Sequence, residues 1–478
     1  MPSIYIETFG CQMNEADSQY VAGRALAAGY SVASAPDAAN VVLLNTCTVR
    51  DNAERRAYGR MNHFKALKDA RPHLRLVVMG CLAEQDRDRM RALAPHVDEV
   101  FGTSELRRLG DALEAWRPSF DTPEDGEYDE RRDGPLGLAL GGTADAVAGP
   151  FSHLRAHVTV QRGCSYYCTF CIVPHVRGRF DHRPHAEILE EAARRVAEGA
   201  REVMLVGQTV NAWRDASGEA DFGDLCKDVA ALPGLERLTF ISPHPKDFTE
   251  KIVDDLAGIA ALNPRIHLPL QSAADPVLRR MNRKYSVAQF DATLEAIRSR
   301  IPNCAITTDI IVGFPGESDA DFEETLAYVR KGRFANAFVF VYSTRRGTPA
   351  ANWEQVESGM AAERFRRLFD AQNEVTRAYH DRKLGRVVRA LVVGDSKKDA
   401  GRLAAKALDN VTLVATKPGD YPAAPPAEEH PYALTPWLDV AVESAHVWGC
   451  TGTILRRAAR YDDPGVQVPR PLVDLIVS

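Results

Sequence analysis

Short apolar segments alternate with helical segments through most of this chain, and that alternation limits the folds open to it. Residues 1–117 contain four strand segments, "SIYIETFG", "NVVLLNTC", "LRLVVMGC" and "VDEVFG". Helical segments separate them, including a basic helix predicted from about Asn52 to Ala70. Alternation of this kind predicts a parallel sheet with helices on its faces. We therefore expect an α/β domain with a doubly wound parallel sheet over residues 1–117.

The alternation resumes over a longer distance in residues 151–378. The strand segments there are "AHVTVQRG", "EVMLVGQ", "RLTFISP", "RIHLPLQS", "AITTDIIVGFPG" and "NAFVFVYST". Six strand–helix units predict a partial (β/α)6 barrel rather than a complete eight-unit one. In β/α barrels the functional groups are placed at the carboxyl ends of the strands.

The remaining segments differ in amino-acid composition and in the pattern of apolar residues. Residues 118–150 are acidic and rich in Gly and Pro, which predicts a linker. Residues 379–459 contain short strands without long helices, a pattern typical of a small antiparallel β-barrel, and residues 460–478 form a C-terminal tail. The Pro-rich stretch "KPGDYPAAPPAEEHPYALTP" interrupts the barrel region as a loop, because proline is excluded from central strands.

Three cysteines, Cys164, Cys168 and Cys171, lie within eight residues just after the first barrel strand. One interpretation is a zinc site, since "CTFC" is a CxxC pair and His175 or His182 can be nominated as a fourth ligand. No second CxxC or HxxxH pair completes a common zinc pattern, however. The other interpretation is a [4Fe–4S] cluster. Three thiolates then hold three irons and leave the fourth open to a substrate or cofactor.

A second set of three cysteines is dispersed along the N-terminal domain. Cys11, Cys47 and Cys81 each lie at the carboxyl end of one predicted strand. Those ends share one edge of an open parallel sheet, so we expect the three thiols to converge on a second cluster. The alternative is three buried small apolar residues. The remaining cysteines are interpreted as structural: Cys226, Cys304 and Cys450.

The overall charge and the N-terminal sequence give no indication of a generally basic nucleic-acid-binding protein or of a secreted one. The net charge of −6 gives no general nucleic-acid signature, so any RNA contact must come from local patches. No run approaches the ~20 apolar residues that span a bilayer. The start "MPSIYIETFG" is not a signal peptide. We expect a cytoplasmic protein whose nine cysteines are metal ligands, catalytic groups or buried thiols rather than disulfides.

Several stretches resemble the methylthiotransferases of the radical S-adenosylmethionine superfamily. They are "YIETFGCQMNEADS", "VVLLNTCTVRDNAE", "GCLAEQ", "GCSYYCTFCIVPHVRGR", "SPHPKDF", "IHLPLQS", "TTDIIVGFPGE" and "GTPAA". Within the family, "GCQMN" and "NTCTVRDNAE" resemble the branch that acts on N6-(dimethylallyl)adenosine in tRNA. The ribosomal-protein branch typically has a "GCPKN"-like stretch, and the threonylcarbamoyladenosine branch a "GCKVN"-like one.

The resemblance implies a reaction, cofactors and partners. A methylthio group replaces the hydrogen at position 2 of the prenylated adenine at tRNA position 37. The cofactors are two [4Fe–4S] clusters, each with three cysteine ligands, and S-adenosylmethionine, which serves as methyl donor and as source of a 5′-deoxyadenosyl radical at Cys164, Cys168 and Cys171. The partners are the tRNA anticodon loop, an electron donor such as flavodoxin or ferredoxin, and sulfur or cluster-assembly proteins. A monomer is expected, with a TRAM-like RNA-binding barrel at its C-terminal end.

The candidate cofactor-binding residues follow from three segments. They are Phe170, Gly207, Gln208, Ile311, Gly313 and Gly316. Phe170 matches the family's aromatic position before the third cysteine, although packing at the barrel mouth is an alternative. "LVGQTVN" offers polar contacts to the methionyl end, and the glycines of "IIVGFPGE" let the backbone approach a flat group such as adenine. Ordinary strand-end turns are the alternative for both segments.

Two basic stretches, over residues 50–75 and 382–406, are candidates for contact with RNA phosphates. The alternative is a solvated helix face or strand surface. The candidate contact residues are Arg55, Arg56, Arg60, Arg386, Lys397 and Lys398. An anticodon-loop base is single-stranded and can be splayed out, which makes it more accessible than a base in a duplex.

Several positions depart from the family pattern and leave the substrate contacts open. They are Thr209, Ala273, Ala274, Thr344 and Arg346. Arg346 either adds a phosphate contact or solvates the rim. The competing functions are a sibling methylthiotransferase, acting on threonylcarbamoyladenosine or a ribosomal-protein aspartate, and a non-catalytic iron–sulfur protein in electron transfer or RNA binding. A zinc-stabilised RNA binder is a third.

Overall fold

The computed structural model describes residues 1–48, 51–120, 154–396, 398–399, 401–417 and 437–458. The predicted linker beyond residue 120, the Pro-rich loop beyond residue 417 and the C-terminal tail lie outside these described residues. No helix in the described ranges is long and apolar enough to cross a membrane.

The N-terminal domain is a five-stranded parallel sheet in the order β2-β1-β3-β4-β5. Its strands are β1 (Ser3–Thr8), β2 (Ser31–Val32), β3 (Val41–Thr46), β4 (Arg75–Gly80) and β5 (Glu99–Phe101). Its helices are α1 (Gln12–Ala27), α2 (Asp51–Ala70), α3 (Cys81–Gln85), α4 (Arg87–Leu93) and α5 (Leu106–Trp116). The four predicted strands and the basic helix are present, and β2 is an additional short edge strand.

Side chains of β3 alternate between two apolar cores, as the period of a strand requires. Val42 and Leu44 pack with α2, whereas Val41 and Leu43 pack with α1 and α5. All six residues of β3 are buried. A strand covered on both faces belongs to a doubly wound sheet, which is the predicted architecture.

The central domain contains the six predicted strands, all parallel. They are β6 (Arg155–Thr159), β9 (Glu202–Val206), β10 (Arg237–Phe240), β11 (Arg265–His267), β12 (Ala305–Val312) and β13 (Asn336–Val341). Two three-stranded sheets, β6-β9-β10 and β11-β12-β13, share one apolar core that includes residues of β6, β9, β10, β11 and β12. A short antiparallel ribbon, β7 (Gln161–Arg162) with β8 (Asp181–His182), is added after the first strand.

Helices follow the central strands. They are α6 (Val173–Arg177), α7 (His185–Ala197), α8 (Phe222–Ala230), α9 (Glu250–Ala257), α10 (Asp275–Arg280), α11 (Val287–Arg300), α12 (Asp319–Arg330) and α13 (Ser358–Asp381). Ser286 and Ser318 begin α11 and α12 with capping boxes, in which the serine hydroxyl accepts from the third helical amide and the third side chain bonds back. Helix α13 runs through the boundary expected at 378/379, so the last domain begins after Asp381.

The C-terminal domain is a closed five-stranded barrel in the order β14-β15-β16-β18-β17. Its strands are β14 (Val387–Asp395), β15 (Arg402–Ala407), β16 (Thr412–Thr416), β17 (Trp437–His446) and β18 (Gly449–Ala458). The short strands predicted for this region are present. The prediction of a wholly antiparallel barrel is wrong at one place, because β16 and β18 pair in parallel. Strand β17 pairs antiparallel with both β14 and β18.

Candidate active site

The first cysteine trio lies on a loop that the ribbon of β7 and β8 closes. The amide of Cys164 donates to the carbonyl of Gly178 (3.0 Å), and the amide of Cys171 donates to the carbonyl of Cys168 (2.9 Å). Gly163 enters the loop with a φ of +70°, and a Cβ there would lie 2.0 Å from a backbone oxygen of the returning strand. The close approach and the positive φ together require glycine at this position.

A buried arginine contacts this trio. Nη1 of Arg283 donates to Sγ of Cys168 (3.3 Å), and its Nε donates to the hydroxyl of Tyr285 (3.1 Å). Burial, together with the neighbouring Cys168 thiol, raises the pKa of the Cys171 thiol to about 12. Binding a metal at Cys171 must therefore release a proton from the thiol at neutral pH.

Thr209, which follows β9, is also at this trio. Its hydroxyl lies 3.4 Å from Sγ of Cys164, and its amide donates to Oε1 of Gln161 (3.1 Å). Burial raises the pKa of the Cys164 thiol, and the Thr209 hydroxyl opposes that shift. One of the positions that departs from the family pattern is therefore in contact with a candidate ligand.

The second trio occupies the carboxyl edge of the N-terminal sheet. Cys11 caps α1, Cys47 follows β3 and Cys81 begins α3, and the three preceding strands are neighbours in the sheet. A Cβ on Gly10, whose φ is +115°, would lie 2.6 Å from Cβ of Cys47. Burial raises the pKa of Cys81 to about 12; the guanidinium of Arg177 lowers it, and the other two thiols raise it. The three thiols therefore lie close enough to affect one another's charge.

Arg177 joins the two trios. It ends α6, the helix that begins two residues after Cys171. Its Nε donates to Sγ of Cys81 (3.2 Å), and its Nη2 donates to Oδ1 of Asn14 (2.9 Å) and Oδ2 of Asp17 (2.8 Å). A single side chain of the central domain thus contacts three residues of the N-terminal domain.

Apolar packing supports the same junction. Ile172 and Val176 of the central domain form a small buried cluster with Cys81. The hydroxyl of Thr103 donates to the backbone carbonyl of Val176. The N-terminal trio therefore packs directly against the segment that follows the first trio.

A cavity of about 550 Å³ opens beside Cys171. Its volume lies within the range found for small-molecule and cofactor sites. It is lined by Arg55, Phe170, Cys171, Ile172, Val173, Gln271, Asp309, Ile311, Phe340, Val341, Tyr342, Ser343 and Arg345. Arg55 belongs to α2, so both domains contribute to the wall.

The predicted cofactor residues fall into two groups. Phe170 and Ile311 line the cavity. Gly313 and Gly316 are not among its lining residues. A Cβ on Gly313 would lie 2.7 Å from Cβ of Ala361, and one on Gly316 would lie 2.4 Å from Nε of Arg280. Both glycines thus pack closely against neighbouring side chains, and their binding of a cofactor stays a prediction.

The segment after β9 leaves one polar atom available. A Cβ on Gly207 would lie 3.0 Å from Oε1 of Gln161, which again indicates internal packing. Oε1 of Gln208 is buried and has no hydrogen-bond partner among the described residues. The same holds for Nε2 of His244, whose pKa burial lowers to about 2. Both atoms are suited to a polar group of a bound cofactor.

The residues predicted to contact RNA differ in their surroundings. Arg55 lines the cavity. Arg56 lies over the ring of Phe9, 5.6 Å from its centroid. Arg60 is held by Glu7, with 2.8 Å between Nε and Oε2. In the C-terminal barrel, Lys398 is exposed and Arg386 precedes β14, whereas Lys397 lies outside the described residues.

The structure also accounts for the other departures. Arg346 forms an ion pair with Asp86 of the N-terminal domain, so its guanidinium joins two domains rather than simply solvating the rim. Ala273 and Ala274 are buried ahead of α10. Thr344 is exposed.

The three cysteines interpreted as structural pack in apolar surroundings. Cys226 is fully buried in the central core, Cys450 lies in the core of the C-terminal barrel, and Cys304 packs against the central core. In the described part of the chain, one group of three metal-ligating residues brings its ligand atoms within 4.8 Å of one another: Asp221, Asp224 and Asp255. Lys227 and Lys251 already pair with these carboxylates.

Sequence reasoning missed Arg177 and Arg283 as neighbours of the cysteines. Arg177 stands inside "PHVRGR", directly after the first trio, and that proximity is a usable signal. Arg283 lies 112 positions after Cys171 in the numbering, so its contact arises only when α10 and the segment after it fold against the cysteine loop.

Comparisons with known proteins agree with this arrangement. Residues 158–329 match the profile of the Radical SAM superfamily, and residues 3–102 match Uncharacterized protein family UPF0004. The tRNA-2-methylthio-N(6)-dimethylallyladenosine synthase of Syntrophotalea carbinolica is 39% identical over 84% of this chain and 91% of its own. The enzyme of that name from Parafrankia sp. is 39% identical over 98% of this chain and 97% of its own.

A solved structure shows the same fold. The radical S-adenosylmethionine methyltransferase TsrM from Kitasatospora setae superposes with a TM-score of 0.53, covering 73% of this chain and 75% of that one at 14% identity. By identity and coverage of its relatives, the chain belongs to the tRNA-2-methylthio-N6-dimethylallyladenosine synthase family of radical S-adenosylmethionine enzymes.

Proposed function

We propose that this protein is a tRNA methylthiotransferase that converts N6-(dimethylallyl)adenosine at tRNA position 37 to 2-methylthio-N6-(dimethylallyl)adenosine. The observation that carries the proposal is the pair of cysteine trios joined through Arg177, beside a cavity lined by both domains. The names of the relatives identify the nucleoside.

The residues present fit two iron–sulfur clusters. Each trio offers thiolates, the usual protein ligands of such clusters, and each has a guanidinium N–H directed at one sulfur. The unpartnered Oε1 of Gln208 fits a polar end of S-adenosylmethionine. When bound, these groups supply an electron, a 5′-deoxyadenosyl radical, sulfur and a methyl group. Radical chemistry suits the target, because an aromatic C–H has no useful acidity for a general base at pH 7.

The protein's own residues hold and shield the reactants. The cavity wall next to Cys171 is largely apolar, with Phe170, Ile311 and Phe340, and such a wall excludes water from a radical. Arg55 places a positive charge at the same cavity, where a nucleotide phosphate would follow its base.

The RNA is expected to contact two further places. The closed C-terminal barrel fits the TRAM-like module, with Arg386 and Lys398 as candidate phosphate contacts. The N-terminal helix α2 presents Arg55 and Arg56, both exposed. A splayed anticodon-loop base that reaches the cavity beside Cys171 requires no duplex opening.

Other partners follow from the chemistry. An electron donor such as flavodoxin or ferredoxin must reduce the cluster, and sulfur or cluster-assembly proteins must supply iron and sulfide. The protein is expected to act as a monomer in the cytoplasm, where its tRNA is.

Nucleoside analysis of tRNA from a deletion strain tests the activity. We expect 2-methylthio-N6-(dimethylallyl)adenosine to disappear, N6-(dimethylallyl)adenosine to accumulate, and a plasmid copy to restore the modified nucleoside. Loss of methylthiolated threonylcarbamoyladenosine, or of the ribosomal-protein modification, would instead identify a sibling activity. Reduced protein that forms no 5′-deoxyadenosine would indicate a non-catalytic iron–sulfur protein.

Iron and sulfide analysis under anaerobic conditions tests the two sites separately. Wild type should hold about eight of each per chain, the content of two cubes. Cys47→Ala should lose about half, because one of three ligands is removed from one trio. Cys226→Ala is the matched control, since that thiol lies in the core away from both trios, and it should lose none. Unchanged iron in Cys47→Ala would rule out the N-terminal cluster, and zinc in place of iron would rule out both.

A further inference from the structure

Arg177 is the one side chain described here that contacts both a residue of the N-terminal trio and a buried carboxylate beside it. The side chain is 4% exposed, and that of Asp17 is 1% exposed. Its Nε faces Cys81, and its Nη2 faces Asn14 and Asp17. The planar fork of arginine holds such divergent partners at fixed angles, which a lysine ammonium does not.

The connection from Arg177 back to the first trio is short and regular. Helix α6 contains five residues and begins two residues after Cys171. At 1.5 Å per residue it spans about 7.5 Å. The distance between the trios is therefore set by one helical turn and one side chain rather than by a flexible loop.

We propose that Arg177 is a positioning residue, which fixes the N-terminal trio against the first trio and whose N–H···S bond to Cys81 raises the reduction potential of the cluster held there. This inference rests on the proposed function. It adds a role for a residue that is a ligand to neither cluster.

The effect of Arg177 on the reduction potential follows from the charge of its guanidinium and from its burial. A guanidinium 3.2 Å from a ligand sulfur stabilises the more negative, reduced state of a cluster, and hydrogen bonds to cluster sulfurs are among the factors that set its potential. Burial strengthens the effect because water does not screen it. Arg283 stands in the same relation to Cys168, so each trio has its own guanidinium donor.

The role of Arg177 in positioning the two trios follows from the carboxylate of Asp17, which it shares with Arg162. Asp17 receives Arg177 at Oδ2 and Arg162 at Oδ1, the latter at 3.1 Å. Both arginines come from the central domain, one from α6 and the other from β7. Removing Arg177 leaves the buried carboxylate of Asp17 with Arg162 but without its closer ion-pair partner, so the junction is weakened and the sulfur contact is lost.

Arg162 supplies the matched control. It binds the same carboxylate from the same domain, and its ion pair is with Asp17 rather than with a cysteine. Three variants, Arg177→Gln, Arg177→Lys and Arg162→Gln, are compared in reconstituted full-length protein. The measurements are iron content, the reduction potential of each cluster by EPR-monitored titration, and the ratio of 5′-deoxyadenosine to methylthiolated nucleoside formed.

Arg177→Gln should shift the potential of the N-terminal cluster to more negative values and leave the other cluster unchanged. The ratio of 5′-deoxyadenosine to product should rise by roughly ten- to a hundredfold, the usual effect of misplaced reacting groups. Arg177→Lys should show a smaller shift of potential, because the charge is kept, but still a raised ratio. Arg162→Gln should keep the wild-type potential of both clusters.

An unchanged potential and an unchanged ratio in Arg177→Gln would overturn the proposal. If Arg177→Gln fails to hold iron at the N-terminal trio, the proposal is tested with Arg177→Lys instead. A wild-type reduction potential and a wild-type ratio in Arg177→Lys would then overturn the proposal. A shift of equal size in Arg162→Gln would also overturn it, since the carboxylate contact would then suffice. Failure of the proposed function is distinct, because wild type would then form no methylthiolated nucleoside.

Discussion

The hydroxyl of Thr209, one of the positions that depart from the family pattern, lies 3.4 Å from the sulfur of Cys164. We predict that Thr209→Val keeps its iron but forms 5′-deoxyadenosine about fivefold more slowly under excess reductant. One hydrogen bond is worth about 1 kcal/mol, which corresponds to that factor if the bond favours the reduced state of the ligand sulfur.

Thr239→Val is the control for that change. Thr239 is also a buried threonine, but its hydroxyl donates to Oε1 of Glu202 (2.9 Å) rather than to a cysteine. Its variant should lose stability without changing the rate of 5′-deoxyadenosine formation per folded protein. Equal rates for Thr209→Val and wild type would show that the hydroxyl does not influence the cluster.

Arg346 pairs with Asp86, and this assigns it to the domain junction rather than to RNA. The Asp86 side chain is 4% exposed and that of Arg346 is 66% exposed, so the pair is partly screened. Arg346→Gln should lower the free energy of unfolding by about 1 kcal/mol or less, and less at high salt. Affinity for tRNA and its dependence on salt should stay as in wild type. A weaker salt dependence of binding would instead identify a phosphate contact.

Arg55 and Arg60 lie on the same helix but differ in their surroundings. Arg55 lines the cavity, whereas Arg60 is held by Glu7 and lies over the ring of Phe64. Arg55→Gln should weaken tRNA binding and reduce the slope of log affinity against log salt by about one. Arg60→Gln should leave this slope unchanged. An equal loss of tRNA affinity in both variants would indicate a general effect of positive charge rather than a specific phosphate contact by Arg55.

Most of the architecture could be predicted from periodicity, because strands in parallel sheets are continuous apolar runs and glycines mark their ends. The edge shared by Cys11, Cys47 and Cys81 follows from the same reasoning, since each cysteine ends a strand. The parallel pairing of β16 with β18 could not be predicted, because the long Pro-rich connection hides the direction in which the chain returns.

Side-chain contacts between different helices and strands could not be predicted from the sequence either. The sequence does not show that Ala361 and Arg280 pack next to Gly313 and Gly316, whose contact with a cofactor stays a prediction. These neighbours come from α13 and α10, and no local pattern shows which helix packs over a turn. Arg177 and Arg283 were missed for the same reason, as both act across domain or element boundaries.

Gly10 sets the position of Cys47. A Cβ there would lie 2.6 Å from Cβ of Cys47, and its φ of +115° disfavours any other residue. Gly10→Ala should therefore lose about half of the bound iron, the loss also expected of Cys47→Ala. Gly23→Ala is the matched control, because Gly23 lies within α1 with nothing within 4 Å of its would-be Cβ. That variant should keep its iron and gain about 0.5–1 kcal/mol of stability. Full iron in Gly10→Ala would show that the edge can rearrange.

His157, on β6, should give the apoprotein an acid-sensitive stability. Burial, followed by the charge of Arg155, lowers the pKa of His157 to about 4, against an ordinary value of 6.5. The unfolded chain therefore takes up a proton as the pH falls through 6.5, whereas the folded chain does so only near 4. Stability is present at neutral pH and is lost between these values, by about 3 kcal/mol in all.

Urea denaturation of the metal-free protein at pH 7, 6, 5 and 4 measures this loss. His157→Gln should flatten the fall in the midpoint over that range, because the neutral amide takes up no proton in either state. His73→Gln, at an exposed position, should leave the fall unchanged. A fall of the same size in both variants would assign the acid sensitivity to groups other than His157.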